Sequence, residues 1–562
     1  MQHLKRWLLL VSVVLACLLL AGGFWAWTQM NRFFSQYTDT VFWQQSFEEK
    51  FHGDVEVKPP EIPDRVCDAL APPGGSSASQ TRLLQSSIDA CAEDGGGLIV
   101  LKEGNWNLQP LELRSDIELR FREGARVFFD SPRVYDGYTR DTVLGRFEGI
   151  EAMVSRPLLW ADDASNILLS GEGELYGGGA DWYDIPQLRE TEQRFFRLAS
   201  ADVENGIPAE ERSYRSQGVY VRPDFFLCRK CERVAVEDLT FRDHPRWGLH
   251  FVFSEDITIE NVTLEAEGPN TDAIVFDSSS DGIVRDTDII AGDDAIVMKS
   301  GINEEGREID IPTKDIVLES IDIESAHGGI VMGSEMSGGI KNILAEDISV
   351  ENAWSAARIK APRERGGYVR NIVFRNIAFE DIEKSAIEID MRYEYNADNP
   401  EAADAPLPHI GPIFYEHIHG ERASRVAEID GLPDDAIHGL FFDGLYAFES
   451  TKGVAIRHAE NVIMKDVSLF LEESSGKKAF ELRDVARMLV WRMRLNDWDS
   501  RKIAECENEE KTETPSRCGA LLVHQQHDGK AEPRNPFSDD GLLLENRRWT
   551  HPLIHLATSR MF

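Results

Sequence analysis

The sequence predicts an all-β solenoid, a parallel β-helix, behind an N-terminal transmembrane anchor. Three observations lead there. First, a segment of nine residues rich in Ile, Val and Leu recurs, as in Arg233–Phe241, Asp256–Leu264, Asp281–Ile289, Asp315–Ile323, Asn342–Val350, Asn371–Phe379, Gly439–Ala447 and Asn461–Leu469. Second, most copies begin 22 to 34 residues after the one before, a repeat the size of one solenoid coil. Third, Asn-Gly hairpin signals are missing between the strands, which favours parallel stacking over a meander or sandwich. A single coil cannot bury its own apolar face. Stacked coils share a continuous Val/Ile/Leu interior.

Each part of the chain follows from this frame. Trp7 to Trp27 is uncharged and follows Lys5-Arg6. A run of that length spans a hydrocarbon core, and the basic flank keeps residues 1–6 in the cytoplasm. Cleavage near Ala21-Gly22-Gly23, or at Cys17 after Val14-Leu15-Ala16, stays open, and all three readings export the body. Residues 28–62 read as a stalk, 63–500 as the β-helix and 501–562 as a C-terminal cap or tail. Arg82–Cys91 has the spacing of a short helix, Gly95-Gly96-Gly97 ends it, and Leu98–Leu101 reads as a buried strand. The stretch from Tyr395 to Ala436 interrupts the repeat and reads as an insertion able to wall or close a groove. The chain has seven cysteines. Export permits disulfides, so Cys67 with Cys91 and Cys506 with Cys518 are candidate pairs. Cys228-Arg-Lys-Cys231 reads as structural, because a zinc site needs about four ligands and no second pair accompanies it.

The formal net charge of −38 disfavours nucleic acid and anionic lipid surfaces as partners, and no nucleic acid partner is expected. An anionic substrate would then need a locally basic cleft.

Carboxylates gather at one corner of the repeat. Asn270-Thr271-Asp272 ends one coil, and Asp293-Asp294 ends the next, 21 and 22 residues on. Stacking brings Asp272 close to that pair. Crowded like charges raise the pKa of at least one member, giving an acid and a base side by side, as glycoside hydrolysis needs. His327 falls on the next coil, where it can hold a proton near the acid. Arg358 and Lys360 fall on the one after and, two apart on a strand, face the same way. They make a cationic spot suited to a sugar carboxylate. Taken singly, Asp and Asn in such turns commonly cap backbone groups. Trp182 and Trp247 read as core residues rather than sugar platforms.

The ordered set Asn270-Thr271-Asp272, Asp293-Asp294, His327-Gly328 and Arg358-Ile359-Lys360 resembles the four signature motifs of the polygalacturonase family, glycoside hydrolase family 28. Lys299-Ser300-Gly301 and Gly333-Ser334-Glu335 look like its bacterial, often exo-acting branch. The resemblance implies a right-handed pectin-lyase-like β-helix and an inverting hydrolase of a galacturonate-containing polysaccharide that uses no metal or cofactor. It implies Asp293 as general acid, Asp272 and Asp294 as activators of the attacking water, and His327 as support for the acid. Arg358, Lys360, Asn270 and, more weakly, Tyr393 would bind substrate. Ala273 and Ala326 stand where the family has glycine. Alternatives are a neutral or otherwise decorated polysaccharide cut by the same chemistry, a lyase on the same architecture, and a carbohydrate-binding β-helix without turnover.

Overall fold

The computed structural model describes residues 41–325, 327–393, 406–472, 479–495, 504–507 and 520–523. The expected anchor at residues 7–27 lies outside them. Among the described residues no helix is long and apolar enough to cross a membrane. The chain divides into two units, Met1–Lys50 and Phe51–Phe562. In the first, the described element is the helix Val41–Glu48.

The second unit is the expected β-solenoid. Strands pair in parallel from coil to coil, as Glu255–Glu260 with Ser280–Ala291, and that strand with Thr313–Ser325 and then Ile340–Glu351. Inward positions hold register along the stack. Ile316, Ile343, Ile372, Ile413 and Leu440 are successive partners, and each is fully buried. One rank inward, Phe374, Tyr415 and Phe442 stack with centroids 5.2 and 4.8 Å apart. Gly282 interrupts the Ile column because a Cβ there would come within 2.9 Å of the Phe276 ring.

The repeat has a backbone cause. In all eight copies the first residue has left-handed φ, between 55° and 82°, from Arg233 and Asp256 through to Gly439 and Asn461. The sixth does too: Asp238, Asn261, Asp286, Ser320, Asp347, Asn376, Gly444 and Asp466. These are the corners where the strand direction turns, and Asn, Asp and Gly tolerate that conformation best. Their side chains also pair along the stack. Asn342 Nδ2 donates to Asp315 Oδ1, and Asn371 Nδ2 to Asn342 Oδ1, both at 2.8 Å.

A helix covers the first coil. Ser77–Glu93, longer than expected, is N-capped by Ser76 and buries Gln80, Leu84, Ile88 and Cys91. Cys91 is bonded to Cys67, and Cys228 to Cys231. Cys518 lies outside the described residues.

Three expectations need correction. The supposed insertion before residue 437 contains a full coil, Ile413–Asp430, which pairs with Tyr368–Asp390 on one side and with Ile437–Ser450 and Lys452–Leu471 on the other. Its corner position holds Pro412 instead of Asn, Asp or Gly, which hid the repeat. The stalk does not extend to residue 62. Residues 51–61 lie against the solenoid wall, where the Phe51 amide donates to Asn371, the Lys58 amide to Asp256 and the Glu61 amide to Asn166. Strand pairing also continues past residue 500, with Ala504–Glu507 and Ala520–Val523 both parallel to Phe480–Leu495.

One addition was not foreseen. An antiparallel hairpin, Thr142–Phe147 with Ile150–Ser155, and the helix Leu188–Glu204 build a second apolar core outside the solenoid. It joins Phe147, Val154, Phe195, Ala199 and Tyr214 to Leu227 and Val252 on the outer face of the coils.

The corner ladder makes a direct prediction. Asn342→Ala removes two hydrogen bonds and leaves an alanine in the left-handed region, a combined loss of roughly 2–4 kcal/mol. Asn342→Gly keeps the backbone relaxed and should cost less. Denaturant unfolding of both variants measures the difference.

Candidate active site

One column of strands carries the predicted residues. Ile274–Asp277, Asp294–Lys299, Gly328–Met332 and Ser355–Lys360 are consecutive rungs, about 4.8 Å apart by strand spacing. Ile274 pairs with Ile296, so Asp272 stands opposite Asp294, and the Ala273 amide donates to the Asp294 carbonyl at 3.1 Å. The turns are bonded to each other as well. Thr271 Oγ donates to the Gly268 carbonyl at 2.6 Å and accepts from the Gly292 amide at 3.0 Å.

The carboxylates have distinct partners. Asp272 is buried, with Lys299 Nζ at 3.6 Å. Asp294 is buried and takes Lys360 Nζ at 2.6 Å. Asp293 is the more accessible, its side chain 16% exposed, and lies 2.6 Å from His327 Nδ1. His327 stacks on Trp354 at 4.0 Å. Arg358 Nε lies 2.9 Å from Glu388. The Tyr393 ring centroid lies 5.5 Å from both the Arg358 guanidinium and Lys360 Nζ.

These surroundings drive the acids apart. Burial pushes the Asp272 carboxyl well above the usual carboxylate range; Lys299 pulls it down, and Asp293 and Asp294 push it up again. Burial also acts upward on Asp293, but the hydrogen bond and charge of His327, with Lys360 and Lys299, outweigh it and leave that carboxyl below its ordinary value. The two acids are thus biased in opposite directions, Asp272 toward the protonated and Asp293 toward the ionised form.

Most predicted residues therefore meet: Asp272, Asp293, Asp294, His327, Arg358, Lys360 and Tyr393. Asn270 is committed elsewhere. Its side-chain oxygen accepts from Arg222 at 2.8 Å. Arg222 also donates to the Pro269 and Pro245 carbonyls and pairs with Glu192 of the outer helix, so this group fixes the turn that carries Asp272. Trp182 and Trp247 are buried as expected. Trp247, however, belongs to a small outer-face cluster with Val275, Val297 and Val331 rather than to the solenoid interior.

Lys299 and Glu335 entered the sequence reading only as marks of a family branch, with no role in the site, and Trp354, Glu388 and Arg222 escaped it. For Lys299 a signal existed. The two-residue spacing that aligned Arg358 with Lys360 also aligns Val297 with Lys299 on the outward face. Glu335 sits in a loop, Trp354 in a bend and Arg222 on an irregular segment, where strand parity gives no guidance.

The Glycosyl hydrolases family 28 profile matches residues 210–440, a span that holds every one of these side chains. Over that span the chain is similar to glycoside hydrolase family 28. It is 28% identical to a probable polygalacturonase of Vitis vinifera over 386 residues, 65% of this chain and 71% of that one. It is 24% identical to an exo-poly-alpha-D-galacturonosidase of Dickeya chrysanthemi, covering 61% of this chain and 59% of that one. A hyperthermoactive exopolygalacturonase of Thermotoga maritima superposes with a TM-score of 0.61 at 28% identity, over 72% of this chain and 89% of that one. The protein is a glycoside hydrolase.

A stability test follows from Asp272. Its folded carboxyl binds a proton more tightly than the unfolded one, so the native state loses stability as pH rises above the ordinary carboxylate pKa of about 3.9. Asp272→Asn removes that loss. The variant should melt above wild type at pH 7, and the gap should close as pH falls below about 4. Thermal melts across that range read it.

Proposed function

We propose that this glycoside hydrolase cuts a galacturonate-containing polysaccharide with inversion, from a chain end. The observation that carries the proposal is the cluster of Asp272, Asp293 and Asp294 on adjacent rungs, with Lys299, Lys360 and Arg358 beside it. In this reading Asp293 protonates the leaving oxygen. Because its surroundings favour the ionised form, only the protonated fraction of Asp293, 2.6 Å from His327 Nδ1, is competent in this step. Asp272 and Asp294 draw the proton from the attacking water. Asp272 must first ionise, so activity should rise with pH along a limb above the ordinary carboxylate value. It should fall as pH rises further and the protonated fraction of Asp293 shrinks. Arg358 and Lys360 receive the sugar carboxylate, next to the Tyr393 ring.

The outer wall supports chain-end attack. The hairpin and helix cover Leu227 and Val252, one or two rungs before Asp272. From the hairpin, Arg146 reaches Asp277 on the same rung at 2.6 Å. A polymer lying along the stack meets this wall directly beside the acids. The Dickeya and Thermotoga relatives named above carry exo-type names.

One observation favours a second reading, a neutral sugar at the cleavage point. Lys299, Lys360 and Arg358 each already face a carboxylate. We also propose that the body is exported and tethered, on the strength of the Trp7–Trp27 run after Lys5-Arg6.

On polygalacturonate, wild type should release monomer or dimer from the first time points without intermediate oligomers. Early mixed-length oligomers would refute chain-end attack, and cleavage of a neutral polymer in preference would favour the second reading. Asp293→Asn should lower reducing-end release by 100-fold or more, the order expected for loss of a general acid, with an unchanged circular dichroism spectrum.

A further inference from the structure

Lys299 ends the strand Asp294–Lys299 and is 4% exposed. Its ammonium lies 3.1 Å from both Glu335 oxygens and 3.6 Å from Asp272 Oδ2. The Trp247 ring centroid is 4.4 Å away and closes a further side against water. Glu335 is equally buried. The register partner of Lys299, Asp277, is engaged elsewhere, its Oδ1 held by Arg146 and the Gly301 amide. One ammonium therefore stands between two carboxylates, of which one belongs to the acid cluster and the other to a loop outside it.

We propose that Lys299 and Glu335 are a positioning pair that sets how readily Asp272 gives up its proton. Lys299 stabilises the Asp272 carboxylate, while Glu335 draws the same ammonium toward itself and weakens that effect. The balance matters because the other groups facing Asp272 do not settle it. Asp293 and Asp294 oppose its ionisation, and Lys360 favours it. Lys360, however, is bound to Asp294 at 2.6 Å. Around Lys299 the remaining charges are Glu148 and Asp294. Around Glu335 the second cation is Lys360. The inference rests on Asp272 acting as base in the proposed function.

Two near-isosteric variants pull in opposite directions. Lys299→Met removes the stabilising cation, and the acid limb of kcat/KM on polygalacturonate should move up by about one pH unit, as expected for loss of an opposite charge within contact distance. Glu335→Gln releases Lys299 to Asp272, and the limb should move down. Lys299→Arg keeps the charge and should leave the limb near its place. A purely structural role would lower rates without moving the limb.

The same balance has a reading that needs no substrate. The gain in melting temperature at pH 7 from Asp272→Asn should be larger in the Lys299→Met background and smaller in the Glu335→Gln background. If either variant fails to fold, the other decides alone. An unmoved or oppositely moved limb, or equal gains in both backgrounds, overturns the proposal. Full activity of Asp272→Asn would instead overturn the base assignment, which separates the two failures.

Discussion

In-register parallel stacking is the constraint on which the rest of this molecule depends. Each coil must return to the same azimuth one strand spacing higher, and it does so by turning at corners with left-handed backbone. Asn, Asp and Gly satisfy those corners, and their side chains then bond up the stack. Once the register is held, a residue's place along its coil fixes its direction. Asp272, Asp294, Arg358 and Lys360 reach one spot from three coils because of that geometry and not because of any local motif. The candidate site is thus an outcome of repetition.

That apparatus is electrostatically uncomfortable. Three carboxylates are crowded on a mostly buried surface, and burial favours the neutral form of each. The molecule answers with two lysines, each reaching a different acid, and with a histidine on the third. The counter-ions do not cancel the conflict. They distribute it, so that Asp272 is the member that keeps a proton and Asp293 the one that pairs with an imidazole. A folded protein could relieve such strain by making any of these groups neutral, and chemistry is the reason to keep them. Rigidity comes from outside the cluster. Arg222 draws two turns and the outer helix together next to Asp272, so the turn that carries this carboxyl is held from outside the cluster.

Much of this was legible in the chain. The nine-residue segments located eight corners correctly, because the residues that tolerate left-handed φ also mark the repeat. The same rule failed where Pro412 took such a place, and a regular coil, Ile413–Asp430, then read as an insertion. The carboxylates, His327 and the Arg358–Lys360 pair were readable because they recur at one coil's distance. Lys299 was readable in principle by strand parity. Glu335 was legible only as part of a family-like motif, and Arg222 not at all, since loops have no period. The outer wall was hidden for a different reason. The helix Leu188–Glu204 and its hairpin bury their apolar faces against the outside of the coils, and nothing in the solenoid pattern announces that an outer face is to be covered.

The strip of chain from Phe51 to Glu61 touches the corners in reverse order, first at Asn371, then at Asp256, then at Asn166. Tension on the chain before Phe51 would enter the solenoid partway along its length instead of at its first coil. The strip would have to peel away, contact by contact, before any load reached the helix-capped end. The fold thereby carries its own strain relief, in the way a cable is clipped along a casing before it meets the terminal.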